Sequence, residues 1–301
     1  MITELRLKQR NAVLRTVRLF FEERDYLETD TPIRLPVVAP ERWIEPLGSG
    51  DHFLQTSPAL CMKRLLSAGC SRIFQISPCF RKGERGRQHL SEFTMLEWYR
   101  TGIDYRELMD ECEELVKSVV LECGRKSIFP ELAERFSLDE TFERMTVTDA
   151  FNSFADQSPE EALIAGCFDE VLVEKVEPNL GTSGRPVFLY DYPSRLASLA
   201  RLKKDDPTVS ERFELYVDGI ELANGFSELA DADEQRLRFE AERLTIKEAG
   251  RDPGPMPENF LAALNEMPEA AGIALGLDRL IMVLTGASSI DEVVCFVPEE
   301  L

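Results

Sequence analysis

The side chains best suited to chemistry are concentrated in residues 80–100. Arg81, Lys82, Arg85, Arg87 and His89 fall within nine residues, in a chain whose 55 acidic and 35 basic side chains give a formal net charge of −20. Such a cationic cluster suits a compact polyanion such as a nucleoside triphosphate, because the guanidinium fork meets phosphate oxygens in pairs. In the run that follows, alternation along a strand puts Phe93, Met95, Glu97 and Tyr99 on one face. An aromatic ring, a carboxylate and a phenol on one surface would stack an adenine ring and receive an ammonium group. The same periodicity also describes a half-buried amphipathic strand, and both readings stay open on spacing alone.

A second cluster lies in residues 212–228. Asp218-Gly219 is a strong two-residue hairpin signal. Regular pairing about it sets Tyr216 opposite Glu221 and Glu214 opposite Ala223, so Glu214 and Glu221 become diagonal neighbours on one face. Two adjacent carboxylates repel unless a cation or proton intervenes, and Mg²⁺ shared with phosphate oxygens is a natural occupant. A solvated pair at a rim is the alternative. Asn224, Phe226 and Glu228 have the opposite parity to Glu221. If all of them serve one pocket, the strand must bulge or twist near Gly225.

These clusters need a scaffold. Residues 72–77 and 92–99 read as antiparallel strands joined by the cationic loop. Residues 4–24 form an amphipathic helix with Val13, Val17, Phe20 and Phe21 at helical spacing. A strand at 52–56 leads through Ser57-Pro58 into a helix ending near Leu66, and 106–123 is another helix. Residues 31–50 look irregular. Residues 125–185 are less patterned and read as a helical insertion. A strand at 186–193, the 212–224 hairpin, helices at 231–248 and 258–266, and a strand leading into a helix at 278–284 complete the order. The expectation is an α+β fold, an antiparallel sheet flanked by helices, with residues 1–301 as one domain.

Composition narrows the possibilities. At 301 residues and 44% hydrophobic content the chain can bury a large core. Its acidity disfavours unspecific binding to nucleic acid. Seven cysteines without a Cys-x-x-Cys pair, and two histidines, speak against structural zinc. The odd cysteine count, with no leader-like segment and no apolar run near eighteen residues, predicts a cytoplasmic protein with no membrane association.

Phe80-Arg81, the loop, His89, Glu92-Phe93-Thr94-Met95, Glu97 and Tyr99 together resemble motif 2 of class II aminoacyl-tRNA synthetases in the lysyl form. Leu27-Glu-Thr-Asp-Thr-Pro32 is similar to motif 1, and Gly272-Ile-Ala-Leu-Gly-Leu-Asp-Arg279 to motif 3. The resemblance implies the class II catalytic fold and a homodimer through the region around Pro32. It further implies adenylate formation from ATP with Mg²⁺. Arg81 and Arg279 would be catalytic, with Arg87, His89, Phe93 and Glu84 also at the nucleotide. Glu214 and Glu221 would hold the metal. Glu97, Tyr99, Asn224, Phe226, Glu228 and Ala274 would meet the amino acid. Phe226 could equally pack, Glu228 could be a helix-entry carboxylate, and Arg279 could form a surface helix salt bridge.

Two departures stand out. The family usually has glutamate where Gly83 stands, so that either Glu84 substitutes or the adenine contact is made by backbone. It usually has glutamate where Ala59 follows Ser57-Pro58, near the substrate α-amine. Lysyl synthetases have glycine at Ala274, whereas shortened lysyl-type paralogues that modify elongation factor P have alanine. The resemblance also leaves no segment for an anticodon-binding domain. The expected activity is therefore ATP-dependent activation of (R)-β-lysine or lysine and transfer to a lysine of elongation factor P, rather than to tRNA. The alternatives are a ligase for another amino acid or acceptor, and a catalytically silent regulatory paralogue.

Overall fold

The computed structural model describes residues 2–129, 132, 136 and 140–301. In chain order its elements are α1 (Glu4–Glu22), β1 (Leu27–Glu28), β2 (Arg34–Leu35), β3 (Gly48–Ser49), β4 (His52–Leu54), α2 (Ala59–Ser67), β5 (Arg72–Phe80), β6 (Glu92–Thr101) and α3 (Tyr105–Gly124). There follow β7 (Glu143–Thr146), α4 (Val147–Phe154), α5 (Pro159–Ala165), α6 (Phe168–Val171), short helical turns to Gly184, and β8 (Val187–Pro193). The chain continues through β9 (Val209–Val217), β10 (Ile220–Ser227), α7 (Ala232–Glu248), α8 (Glu258–Leu264), β11 (Ala270–Gly276) and α9 (Leu277–Thr285).

Eight strands form one sheet in the order β1-β5-β6-β11-β10-β9-β8-β7. The interior pairs are antiparallel, as expected, but the two outermost pairs, β1 with β5 and β7 with β8, are parallel. β2, β4 and β3 make a separate small sheet, with β2 and β3 inside what read as an irregular segment and β4 on the strand expected at 52–56. The described part of the 125–185 insertion is largely helical and also contributes the edge strand β7. Residues 130, 131, 133–135 and 137–139 of that insertion lie outside the described residues.

The sheet has two differently furnished faces. On one, Val13, Val17, Phe20 and Phe21 of α1 pack with α3 and α9 around Trp98, which is fully buried. On the other, α2, α7 and α8 pack around Tyr99. Successive residues of β6 thus enter opposite cores, as strand alternation demands. The helices close cleanly: Asp104 caps α3 in a reciprocal box with Glu107, satisfying otherwise orphaned amides. Asp218 and Gly219 both take positive φ, 49° and 72°, the geometry that matches the strands' twist in a two-residue hairpin. Among the described residues no helix is long and apolar enough to cross a membrane.

Candidate active site

A cavity of about 660 Å³ opens on the second face, over the middle strands β6, β11, β10 and β9. Its position follows from the chain: motif-bearing strands distant in sequence become neighbours, with Ala274 paired to Glu97 on one side and to Asn224 on the other. Arg81, Glu84, His89, Phe93, Glu97 and Tyr99 line it from the β5–β6 side. Glu214, Glu221, Asn224, Phe226, Ala274 and Arg279 line it from the other.

At one end two arginines converge. Arg279, in the first turn of α9, donates from Nε to the Gln88 carbonyl at 3.1 Å and from Nη1 to the Glu221 carbonyl at 2.8 Å. Its Nη2 meets His89 Nε2 at 2.6 Å, making that ring nitrogen the acceptor. Burial and the adjoining Arg279 both push the His89 pKa down, which favours this neutral ring. Arg81 lies with its guanidinium 5.1 Å from the Phe93 ring centre. Its Nε is buried without a partner and its nearest carboxylate, Glu84, stands 3.7 Å away. A guanidinium so weakly engaged retains donors for an incoming anion. Gly83 adopts φ +77°, a left-handed turn that suits glycine, and it is Glu84 that reaches the cavity wall.

At the other end the groups are fully buried. Glu97 accepts from Ser57 Oγ at 2.5 Å and from the Tyr99 hydroxyl at 2.8 Å. Burial raises its pKa despite these donors. Glu228 is not a lining residue. It lies behind Gly272 and Tyr99, with Lys63 Nζ 2.6 Å from its Oε2 and both side chains no more than 2% exposed. The other carboxylate oxygen, Oε1, has no hydrogen-bond partner. Burial pushes the Glu228 pKa up to about 7, with Lys63 opposing. A methyl on Gly272 would come within 2.2 Å of the Tyr99 ring and 2.6 Å of Glu228, so only glycine permits this close packing.

The carboxylate pair is arranged differently from the regular hairpin. Tyr216 does face Glu221, but Glu214 pairs with Asn224 rather than Ala223. The cause is a bulge at Leu222, not near Gly225. The extra residue lets Leu222 and Ala223 both join the α3-side core while Glu221 and Asn224 face the cavity. Glu214 also has a built-in counterion: Arg212 at 2.6 Å, with Tyr192 and Tyr216 hydroxyls at 2.5 and 2.7 Å. Glu221 is held less fully, by Arg279 at 3.4 Å, and burial followed by Glu214 raises its pKa. Burial likewise lifts neighbouring Glu177 to about 7. Among the described residues no group of three or more acidic, His or Cys side chains forms a metal cage. The donors instead suit a hard cation shared with another ligand: Glu221 has free oxygen valence and excess negative charge beside it.

The cationic loop is mostly spoken for. Lys82 pairs with Glu45 at 2.5 Å, and Arg85 with Asp291 and Glu299 at 2.9 Å each. Arg87, expected at the outer phosphates, is not among the lining residues and donates to the Ser288 carbonyl at 2.5 Å. Arg81 and His89 are the two that reach the cavity. Asp278, beside Arg279, is structural: Arg10 at 2.5 Å and the Thr94 amide at 2.7 Å fix it.

Lys63 and Arg212 were absent from the residues singled out by sequence. Both left a trace. Lys63 interrupts the buried stripe of Leu60, Met62 and Leu66 on α2. Arg212 shares strand parity with Glu214 and Tyr216.

Fold and cavity together define a class II synthetase. The family model for tRNA synthetases class II (D, K and N) matches residues 3–300, and the chain belongs to that family. More particularly, it is 40% identical, over 96% of its length, to a Pectobacterium atrosepticum protein named elongation factor P--(R)-beta-lysine ligase, of which 94% is covered. Proteins of the same name from Klebsiella pneumoniae, at 40%, and Vibrio cholerae, at 39%, match over the same shares.

Proposed function

We propose that this chain activates (R)-β-lysine, or lysine less readily, with ATP and transfers the acyl group to a lysine ε-amine of elongation factor P. One observation carries the reading: the cavity is bipolar, with two guanidinium groups at one end, that of Arg81 loosely engaged, and buried carboxylates with a phenol at the other. A chain carrying an ammonium at one end and a carboxylate at the other, set against a nucleotide, matches that polarity.

In the first step a substrate carboxylate oxygen attacks the α-phosphorus of ATP, the bond to the β-phosphate oxygen breaks, and pyrophosphate leaves. Arg81 is placed to hold the attacking carboxylate and α-phosphate, and Arg279 with His89 the outer phosphates. Both act by positioning and by neutralising charge that develops in the transition state. Phe93 offers a face for adenine, with Glu84 at its edge. Glu97 and Tyr99 receive the distal ammonium, with Glu228 behind them. Asn224 and Phe226 bound the aliphatic stem, and Ala274 forms the floor. Glu221 and Glu214 would hold Mg²⁺, which supplies charge neutralisation at the leaving pyrophosphate. In the second step the acceptor amine attacks the acyl carbon, loses a proton, and AMP departs.

We further infer that residues 1–301 act as one catalytic unit in the cytoplasm. Exposed Leu27, Pro32 and Ile33 favour a homodimer through the motif 1 edge. Transfer of labelled (R)-β-lysine to purified elongation factor P tests the proposal. Labelling of tRNA with the factor left untouched would reject it. Ala59, which presents a methyl group to the cavity, favours a second reading, a ligase for another amino acid. A pyrophosphate-exchange panel with a clear preference outside the lysine type would establish that instead.

A further inference from the structure

The cavity contains a carboxylate that the roles above do not use. Glu41 lies in its wall, in the segment between β2 and β3. Its side chain has no hydrogen-bond or ion-pair partner among the described residues. Of the other acidic lining residues, only Asp169 shares that condition, and it is exposed. Half-buried carboxylates normally find donors, so an unanswered one facing a cavity asks for a ligand.

The backbone around Glu41 is nonetheless fixed. Arg42 next to it donates through its amide and guanidinium to Glu242 of α7, at 2.9 Å each. Arg251 donates to the Arg42 carbonyl, and the Ile44 amide to the Glu41 carbonyl at 3.2 Å. A pinned loop that presents a lone carboxylate is preorganised rather than slack. Burial raises the Glu41 pKa, Arg81, Lys63 and Arg212 oppose that rise, and Glu242 adds to it. Arg81, Arg212 and Glu242 line the same cavity as Glu41, as do Ser57 and Ala59 where α2 begins.

Charge balance then assigns it a role. Glu97 and Glu228 against Lys63 leave one net negative charge, enough for one ammonium. Arg81 answers the substrate carboxylate. A diamino acid brings a second ammonium, close to its carboxylate, and the residue after Ser57-Pro58 offers that group only a methyl. We propose that Glu41 is the specificity residue that receives this second ammonium, selecting diamino over monoamino carboxylic acids. This rests on the reading of the site as an amino-acid-activating pocket.

The test compares Glu41→Gln with wild type in amino-acid-dependent pyrophosphate exchange, using lysine and (R)-β-lysine. Competition by 6-aminohexanoate, which keeps the carboxylate and distal ammonium and lacks the second amine, is measured alongside. Loss of a charge-assisted hydrogen bond predicts a KM for the diamino acids raised about 10- to 100-fold. The KM for ATP and the inhibition constant of 6-aminohexanoate should stay within about twofold, because neither uses the lost charge. Equal weakening of 6-aminohexanoate or ATP, or no weakening of the diamino acids, overturns the assignment while leaving the parent activity intact. Wild-type protein that exchanges with no diamino acid overturns the parent reading and this one with it.

Discussion

The two ends of the cavity carry opposite charges and are built on opposite terms. At the arginine end the side chains are partly exposed, 25% for Arg81 and 19% for Arg279, and several of their contacts are to neutral acceptors or long ion pairs. At the carboxylate end Glu97, Glu228 and Lys63 are almost completely buried and compensate one another. The first end keeps its charges available. The second has already desolvated its charges during folding, and a ligand there completes a network instead of creating one. Reaction chemistry should therefore depend most on the first end and stability on the second.

The sharpest break of that contrast is at the arginines. Arg279→Ala and Arg81→Ala are expected to lower the exchange rate by at least about 10²- to 10³-fold, as loss of a transition-state donor does elsewhere. Thermal unfolding should shift little. A melting point that falls as steeply as the activity would erase the distinction. Next in size, Lys63→Met leaves the buried Glu228 uncompensated and should destabilise the fold by about 3–5 kcal/mol. Denaturant unfolding measures this, and adding Glu228→Gln should restore much of the loss, since the two sites share one charge balance.

pH sharpens the comparison further. The Glu228 pKa, about 7, lies above the ordinary 4.5. The folded state thus holds its proton more tightly than the unfolded one. The stability this gives is complete below the ordinary value and is lost as pH rises through about 7. Ammonium binding runs the other way, because it requires the ionised carboxylate. The KM for the diamino acid should fall about tenfold between pH 6 and 8, and the slope should vanish in Glu228→Gln. A slope that survives that change would assign the titration to another group. The smallest effect is expected at Arg87→Ala: less than about twofold on exchange and within about 0.5 kcal/mol of wild-type stability, as for other exposed substitutions.

The element order was legible because it is local. The α1 periodicity, the Asp218-Gly219 turn and the Ser57-Pro58 entry to α2 each depend on neighbours a few residues apart. Motifs 2 and 3 with the Glu221–Glu228 segment also sufficed to bring Arg81, Phe93, Glu221 and Arg279 to one cavity. What sequence did not show was partnership across long separations. The loop looked like a polyanion site because Glu299 and Asp291, which neutralise Arg85, lie 214 and 206 residues away. Lys63 looked like an ordinary helix lysine until α2 was laid against Glu228. The bulge was foreseen from parity, but its place was not, because it follows from the α3-side core accepting both Leu222 and Ala223.

That extra residue has a consequence for how this gene can change. Replacing Leu222 with another aliphatic side chain trades one filling for another, whereas removing its codon straightens β10 and leaves every following position on its present face, since Glu221, Ala223 and Asn224 already face Tyr216, Leu215 and Glu214 in turn. Asn224 and Phe226 would stay toward the cavity, and Ala223 and Gly225 toward α3. A deletion scan across the hairpin should therefore find this codon more dispensable than its neighbours in β10, at the cost of the core space that Leu222 fills.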